Sequence, residues 1–270
     1  MLNMRPVNIP YHIARYITNR TSHEEMCVEA MIGYKSLSKG MLPEVSIVIP
    51  AYNEESNIVP TLTSLCQNRT GRSVEIIVVD NNSKDRTHEL AKSCGVTCIF
   101  QPLQGITFAR NMGLSHATGK YILNADADTI YPEDWIELMV QPLEDAGIAL
   151  TYGRFALIPI GATGRLTYFF YEYFAEFSRW INKKFKEESV NVYGFNSGFR
   201  REQGLLVDSF DHPPGTNEDG WLALKLKTKG FGKLHLVTDV KALVWTTDRR
   251  IQLDGGLWKG SAKRIKRMLS

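Results

Sequence analysis

Two carboxylates separated by one small residue are the clearest chemical signal in this sequence. Asp126 and Asp128 follow a short apolar run, residues 121–123, that begins after the turn residue Gly119. Carboxylate oxygens are hard ligands, and two of them at the end of a buried strand can hold Mg²⁺ or Mn²⁺ against a phosphate. An isolated Asp-x-Asp is more often a solvated turn, because Asp bonds to its own backbone there. The surrounding elements therefore have to decide between a metal site and a turn.

Polar loops follow two further apolar runs. VSIVI at residues 45–49 is closed by Pro50 and followed by Asn53 and Glu54, and VEIIVV at residues 74–79 is followed by Asp80. In open α/β sheets, ligands bind at the edge where the carboxyl ends of the strands meet. We therefore expect a single site that combines these side chains with Asp126.

Strands and helices alternate along the middle of the chain. Strands are predicted over 45–49, 74–79, 96–100, 121–123 and 149–152, and helices over 56–68, 85–93, 105–117, 132–145 and 221–229. This alternation predicts right-handed crossovers and an α/β fold with a mostly parallel sheet flanked by helices. No Gly-x-Gly-x-x-Gly follows the first strand, which disfavours a dinucleotide-dependent dehydrogenase.

Composition is that of an ordinary globular protein with an uneven charge distribution. The 270 residues are 43% hydrophobic and 23% charged, with a formal net charge of +3. Residues 241–270 contain eight Lys or Arg against two Asp, which predicts a phosphate-rich partner near that segment. We divide the chain into an N-terminal extension (1–43), a main domain (44–240) and a basic C-terminal segment (241–270) that packs on the site or closes over it.

Cysteine usage and hydropathy predict a cytoplasmic protein. Peripheral contact with the inner face of the cell membrane is compatible with this prediction. Cys27, Cys66, Cys94 and Cys98 lack paired spacing and are interpreted as reduced structural thiols. There is no uninterrupted apolar leader and no run of about 18 apolar residues, so neither a signal peptide nor a spanning helix is expected.

An aromatic segment at residues 165–185 leaves three interpretations open. Its aromatic residues at helical spacing suit internal or subunit packing, a surface facing lipid, or the wall of an acceptor pocket. Residues 258–269, where Lys and Arg alternate with apolar side chains, could likewise lie on an anionic membrane.

Several separated motifs resemble those of the family 2 glycosyltransferases, which have the GT-A fold. The resemblance covers residues 45–230 approximately. It is carried, in order, by VSIVIPAYNEE, VEIIVVDNNSKDRT, GITFARNMGLSHATGKYILNADADT, NSGFRRE and NEDGWLALKLKTKG. Motifs in the right order are far more specific than an Asp-x-Asp alone. The resemblance implies a GT-A-type, Rossmann-like sheet with helical extensions.

The resemblance also implies roles for individual residues. Asp128 is expected to bind Mn²⁺ or Mg²⁺ directly, with Asp126 contributing to the metal or contacting the sugar or ribose. Asp219 is the expected general base, oriented by Glu218, because the acceptor hydroxyl must lose a proton. The remaining residues expected to contact the donor are Pro50, Tyr52, Asn53, Glu54, Asp80, Asn82 and Arg110, joined hypothetically by Arg249 and Arg250.

The expected reaction is therefore a single displacement with inversion. One sugar would pass from a nucleoside-diphosphate sugar, with UDP favoured, to a glycan or lipid-linked acceptor, as in the synthesis of cell envelope polysaccharides. No QxxRW motif follows the Glu218-Asp219 pair, which disfavours a processive synthase.

Two other classes of protein remain open at this point. A nucleotidyltransferase can also combine an α/β sheet with acidic metal ligands and would release pyrophosphate. A protein that binds sugar nucleotides or membranes without catalysis is the other alternative. Nucleic-acid binding is not expected, because no nucleic-acid-binding motif accompanies the basic segment.

Overall fold

The computed structural model describes residues 4–18, 21–253 and 255–256. The predicted membrane-contacting segment 258–269 lies outside the described residues, as does half of the basic C-terminal segment.

A central sheet of seven strands organises the fold. The strand order is β3-β2-β1-β4-β8-β6-β9, in which β8 runs antiparallel to β4 and β6 while the other neighbours are parallel. The strands are β1 (Val45–Ala51), β2 (Val74–Asp80), β3 (Thr97–Phe100), β4 (Tyr121–Asn124), β6 (Ile148–Gly153), β8 (Ser197–Arg200) and β9 (Lys233–Val237). A second sheet has the order β5-β10-β7 and consists of β5 (Thr129–Ile130), β7 (Phe155–Ile158) and β10 (Val244–Thr247). The predicted α/β fold with a mostly parallel sheet is confirmed.

Helices cover the sheets. They are α1 (Tyr11–Ile17), α2 (His23–Ser38), α3 (Ile58–Cys66), α4 (Thr87–Ser93), α5 (Ile106–His116), α6 (Trp135–Val140), α7 (Arg165–Phe185), α8 (Arg201–Leu205), α9 (Glu218–Thr228) and α10 (Arg249–Leu253). Short 3₁₀ helices cover Gln141–Glu144, Glu188–Asn191, Gly194–Asn196 and Val240–Ala242.

The surroundings of β1 explain why its apolar residues do not alternate with polar ones. Ile47 and Ile49 belong to one buried cluster with residues of α3, and Val48 belongs to a second cluster with residues of α5. Both faces of β1 are therefore buried. Helix α5 lies so close that a Cβ on Gly113 would come within 2.2 Å of Val48 Cγ1. A side chain at residue 113 would force the helix away from the sheet.

Two predicted boundaries differ from the structure for local reasons. Strand β1 continues through Pro50, although proline was expected to end it. The carbonyl of Val48 bonds to Ala125 N on the β4 side and that of Ala51 to Asn81 N on the β2 side. Backbone polar groups alternate between the two sides of a strand, so the N–H position of residue 50 faces β4. Pairing with β4 ends at Val48, and the missing N–H of Pro50 therefore removes no hydrogen bond between the strands. The predicted helix over 132–145 is shorter, because Pro142 cannot continue an α-helix and a 3₁₀ turn follows α6.

The N-terminal extension consists of two helices that join the main core. Helix α2 begins with a capping box in which Ser22 and Glu25 satisfy each other's backbone N–H groups. Its buried residues Met26, Ala30 and Leu37 share a cluster with α3. The extension therefore completes one face of the central sheet's helical layer.

Helix α7 has its polar side chains inside and its aromatic side chains outside. Glu172 and Arg179 are buried, whereas Phe170, Phe174 and Phe177 are 55–65% exposed. A surface helix ordinarily has the opposite arrangement. Within the described parts of the chain, no helix is long and apolar enough to cross a membrane.

All four cysteines are free thiols, and three of them are buried. Burial raises the pKa of the Cys66 thiol to about 12. The Cys66 thiol is therefore protonated and unreactive near neutral pH.

Candidate functional site

The loops after β1 and β2 are tied to each other at the carboxyl edge of the sheet. Asn53 and Asn82 both have left-handed backbones, with φ of 53° and 64°. Asn53 N donates to Ser83 Oγ at 3.0 Å, and Lys84 N donates to Asn53 Oδ1 at 2.8 Å. Asn tolerates this conformation better than most residues. The two loops form one connected border of the site.

Asp80 supports the loop that follows β2. It is only 3% exposed; its Oδ1 accepts a hydrogen bond from Ser83 N at 3.0 Å, and its Oδ2 lies 3.3 Å from His88 Nδ1. These contacts fit the turn role that Asp often has at a strand end. Pro50 is buried within β1, and Tyr52 is exposed beside it. Donor contacts by these residues stay predictions.

Arg110 collects carboxylates from two elements beneath the site. It is 1% exposed, and its Nη2 donates to Asp126 Oδ1 at 3.0 Å. Its Nε lies 3.4 Å from Asp219 Oδ1 and 3.9 Å from Glu218 Oε1. The structure therefore brings the end of β4 and the start of α9 to one arginine.

The guanidinium of Arg110 is not saturated by these contacts. Among the described residues, its Nε and Nη1 have no hydrogen-bond partner of good geometry, and neither does Asp219 Oδ1. Buried polar atoms in this state are costly unless a ligand completes them. An anionic group could accept hydrogen bonds from Nε and Nη1 of Arg110, and Asp219 Oδ1 could carry a proton.

Burial raises the pKa of two carboxyl groups around Arg110. The pKa of Asp219 rises to about 7, because burial outweighs the attraction of Arg110 and because Glu218 and Asp126 repel its charge. The pKa of Asp126 rises to about 6, again through burial opposed by Arg110. A carboxylate with a pKa near neutrality is suited to accept a proton in a reaction at physiological pH.

A short loop covers Arg110 and Asp219. A Cβ on Gly194 would lie 2.1 Å from Arg110 Nη2 and 2.4 Å from Asp219 Oδ2. Tyr131 fixes this loop, since its hydroxyl donates to Phe195 O at 3.0 Å and accepts from Asp126 N at 2.9 Å. Residue 194 therefore has to be glycine for the loop to lie against the two charged groups.

Asp128 connects the loop after β4 to the C-terminal segment. Its Oδ2 accepts hydrogen bonds from Thr247 Oγ1 at 2.9 Å and from Arg249 Nη2 at 3.2 Å. Arg249 also forms an ion pair with both carboxylate oxygens of Glu54. Burial raises the pKa of the Glu54 carboxyl group. Arg250 is exposed and contributes positive charge near Asp126. Strand β10 and helix α10 thus border the site, and both belong to the basic C-terminal segment that begins at residue 241.

The carboxylates fit a divalent cation. Glu54, Asp126, Asp128, Glu218 and Asp219 face two basic side chains in contact with them, Arg110 and Arg249. In the described residues, no hydrogen bond involves Asp126 Oδ2 or Asp128 Oδ1. The same residues contain no cluster of three or more His, Cys, Asp or Glu able to enclose a metal. Two carboxylates completed by substrate phosphates and water are a usual Mg²⁺ arrangement.

Sequence reasoning identified most of these residues but missed three. Tyr131, Gly194 and Thr247 contact the predicted site residues directly. Tyr131 and Thr247 stand three residues after Asp128 and two before Arg249, yet a single Tyr or Thr has no distinguishing spacing. The role of Gly194 depends on close approach between elements distant in sequence.

Comparison with known proteins agrees with this geometry. Residues 46–203 match the sequence profile of Glycosyl transferase family 2. The glycosyltransferase AglE of Haloferax volcanii is 32% identical over 120 residues, which is 42% of this chain and 40% of that protein. An uncharacterized glycosyltransferase of Rickettsia felis is 26% identical over 151 residues, 54% of this chain and 24% of that protein. The chain thus spans less than half the length of these curated relatives.

Two solved structures share the fold. The mannosyltransferase PcManGT of Pyrobaculum calidifontis, in complex with GDP-Man and Mn²⁺, has a TM-score of 0.58 at 20% identity and covers 95% of this chain and 76% of that one. S. aureus TarS in complex with UDP-GlcNAc has a TM-score of 0.59 at 16% identity and covers 76% and 58%. Both are GT-A glycosyltransferases. Because the family profile covers more than half of the chain and the sheet has the GT-A arrangement, this protein belongs to glycosyl transferase family 2.

Proposed function

We propose that the protein transfers a single sugar, with inversion, from a nucleoside-diphosphate sugar to a glycan or lipid-linked acceptor. The observation that carries the proposal is the meeting of Asp126 and Asp219 at buried Arg110. Asp126 would act on the leaving group and Asp219 on the acceptor, and both carboxylates contact the same cation, Arg110. UDP is the favoured nucleotide, and both GDP-Man and UDP-GlcNAc occur in the neighbouring structures.

On the donor side, positive charge would stabilise the departing diphosphate. Asp126 and Asp128 would hold Mn²⁺ or Mg²⁺, whose chemistry there is to neutralise charge on the leaving oxygens. Arg110, with two nitrogens lacking partners among the described residues, would contact the diphosphate directly. Arg249 and Arg250 would close over it after Arg249 exchanges Glu54 and Asp128 for the phosphates.

On the acceptor side, Asp219 would take the proton of the attacking hydroxyl. Its pKa of about 7 allows it to be unprotonated before the reaction and protonated after it. Glu218 would hold the acceptor or keep Asp219 oriented. With one base and no second carboxylate assigned as a nucleophile, attack would proceed in a single displacement that inverts the anomeric centre.

Donor binding should appear as thermal stabilisation that depends on metal. A panel of nucleotide sugars with Mn²⁺ is expected to raise Tm for one donor, because a ligand that binds only the folded state stabilises it. The Arg249→Glu/Arg250→Glu variant should lose most of this shift. If no nucleotide sugar stabilises the protein with metal, the proposed function is wrong. A nucleotidyltransferase would instead release pyrophosphate, which a coupled assay detects.

We also propose that the aromatic face of α7 lies on an anionic membrane near a lipid-linked acceptor. Phe170, Phe174 and Phe177 form a stripe at helical spacing, and Lys183 and Lys184 stand at the C-terminal end of the helix. Aromatic and basic side chains together are typical of helices in the membrane interface.

Vesicle flotation tests the membrane contact. Wild-type protein is expected to float with vesicles containing phosphatidylglycerol, and Phe170→Ser/Phe177→Ser should reduce the bound fraction at least about fivefold, because each buried aromatic contributes on the order of 1.5–3 kcal/mol. Tyr11→Ser removes an aromatic side chain from α1 that is more exposed than either phenylalanine, and it serves as a control. Equal flotation of wild-type and variant protein would contradict the proposal, as would a dimer that only the double variant disrupts.

A further inference from the structure

A second concave site lies beside α7, apart from the carboxylates at the sheet edge. It is a cavity of about 600 Å³, within the range of small-molecule sites. Helix α7, strands β6 and β9 and the adjoining loops form its walls. Its lining includes the aromatic side chains Tyr152, Tyr173 and Trp180 and the charged side chains Arg154, Glu176, Arg179 and Lys183.

The charges around this cavity do not balance. Glu176 accepts contacts from three arginines, namely Arg5, Arg154 and Arg179. Lys183 forms an ion pair with Glu188. Glu172 also pairs with Arg5 and with Arg165. Two carboxylates facing four guanidinium groups leave an excess of positive charge, which favours an anionic occupant.

Arg179 is the group that lacks a full set of partners. Its side chain is 7% exposed, and within the described part of the chain its guanidinium approaches a carboxylate only through Nη2, which lies 3.5 Å from Glu176 Oε1. Among the described residues, Nε and Nη1 have no hydrogen-bond acceptor. A guanidinium fork matches a carboxylate or a phosphate with two parallel bonds. An arginine kept buried without acceptors is costly, so its presence points to a ligand.

The cavity is one aromatic layer from the proposed acceptor side of the catalytic site. The guanidinium of Arg179 lies 6.0 Å from the ring centre of Phe155, whose ring contacts Tyr193 at 5.7 Å and Phe195 at 5.6 Å between centroids. Between those two residues stands Gly194, which lies against Asp219. The cavity and the proposed acceptor side of the catalytic site therefore lie close together.

We propose that the cavity binds an acidic sugar unit, with Arg179 holding its carboxylate or phosphate and Tyr173 and Trp180 lining the ring. The assignment of this sugar to the acceptor rests on the proposed function, but its binding does not. Aromatic side chains suit the apolar faces of a sugar ring, and the excess of arginine suits its acidic group. An acidic saccharide is then the class of acceptor, which the catalytic residues alone do not identify.

Binding and stability together test the proposal on the full chain without donor or metal. D-glucuronate or glucose 6-phosphate is expected to bind wild-type protein at least about tenfold more tightly than glucose, and Arg179→Met should remove this preference. Without ligand, the same variant should have a Tm higher by about 2–4 °C, because it removes an incompletely bonded buried cation. Arg86→Met, which removes an exposed arginine, should change neither property.

Three results would overturn the proposal. One is equal binding of glucose and the acidic sugars, and another is unchanged acidic-sugar binding in Arg179→Met. A third is inorganic phosphate binding as tightly as glucose 6-phosphate, which would make the cavity a simple anion site. If Arg179→Met does not fold, Arg179→Lys keeps the charge but not the fork, and it should weaken binding of both acidic sugars. Donor stabilisation is measured separately, so failure here leaves the proposed function standing.

Discussion

Replacing Asp219 by Asn is expected to reduce sugar transfer about 10²–10⁴-fold while donor binding is retained. The amide keeps the shape of the side chain but cannot take the acceptor's proton. The measurement is release of nucleoside diphosphate with the donor found by thermal stabilisation, together with the donor's Kd. Because Asp219 is proposed to act on the acceptor, the Kd for the donor should change by less than about threefold.

Asp208→Asn is the matched control for this variant. Asp208 is exposed near α9 and has a left-handed backbone, which Asn also tolerates. It removes one carboxylate without touching Arg110. Transfer that persists in Asp219→Asn at the rate of Asp208→Asn would remove Asp219 from the mechanism.

The raised pKa of Asp219 has opposite consequences for rate and for stability. The rate should rise with pH through about 7, because only the unprotonated carboxylate can accept the proton. The unfolded chain releases this proton near pH 4, whereas the folded protein keeps it to about pH 7. Folding therefore takes up a proton at Asp219 in that window, and the contribution of Asp219 to stability falls as pH rises from about 4 to about 7. Asp219→Asn should have a higher Tm than wild type at pH 8, and the difference should disappear near pH 4.

Asp128→Asn is expected to abolish metal-dependent donor stabilisation and to lower transfer at least about 100-fold at limiting Mn²⁺. Replacing one carboxylate oxygen by an amide removes charge and a hard ligand from a two-carboxylate site. The same amide can still accept from Thr247, so the local fold should persist. The measurements are the Tm shift with donor and Mn²⁺ and the Mn²⁺ concentration giving half-maximal rate.

The control for this variant is again Asp208→Asn, and excess metal gives a second check. Partial recovery of transfer at high Mn²⁺ is expected if the lost interaction is metal affinity. A variant with unchanged Mn²⁺ dependence would show that Asp128 serves only to hold Thr247 and Arg249.

Local sequence predicted the sheet well, and it placed the polar residues after β1 and β2 at one edge of that sheet. VSIVI and VEIIVV are buried on both sides, so their apolar runs signal parallel strands directly, and the polar residues after them had to meet at one edge. The contact of Asp126 and Asp219 with Arg110 was not predicted, since nothing local in a lone arginine indicates which carboxylates it meets.

The remaining features depend on contacts between distant segments. A glycine is needed at residue 194 because α5 and α9 bring Arg110 and Asp219 against it. The spacing of residues along the sequence does not indicate that approach. Periodicity gave the bounds of α7 but left open which of its faces is buried. Its interior is polar because Arg5, Arg154 and Arg165 pair with Glu172 and Glu176 there.

The position of Arg249 has a consequence for the order in which the protein is made. Glu54 and Asp128 are synthesised before Arg249, the cation that neutralises them, which stands 195 residues after Glu54 and 121 residues after Asp128. Strand β10, which pairs with β5 and β7, also emerges late. Until residue 249 has left the ribosome, the nascent chain carries an acidic, incompletely closed half-site. Competence to hold a sugar nucleotide should therefore arise only after residue 249 has been synthesised.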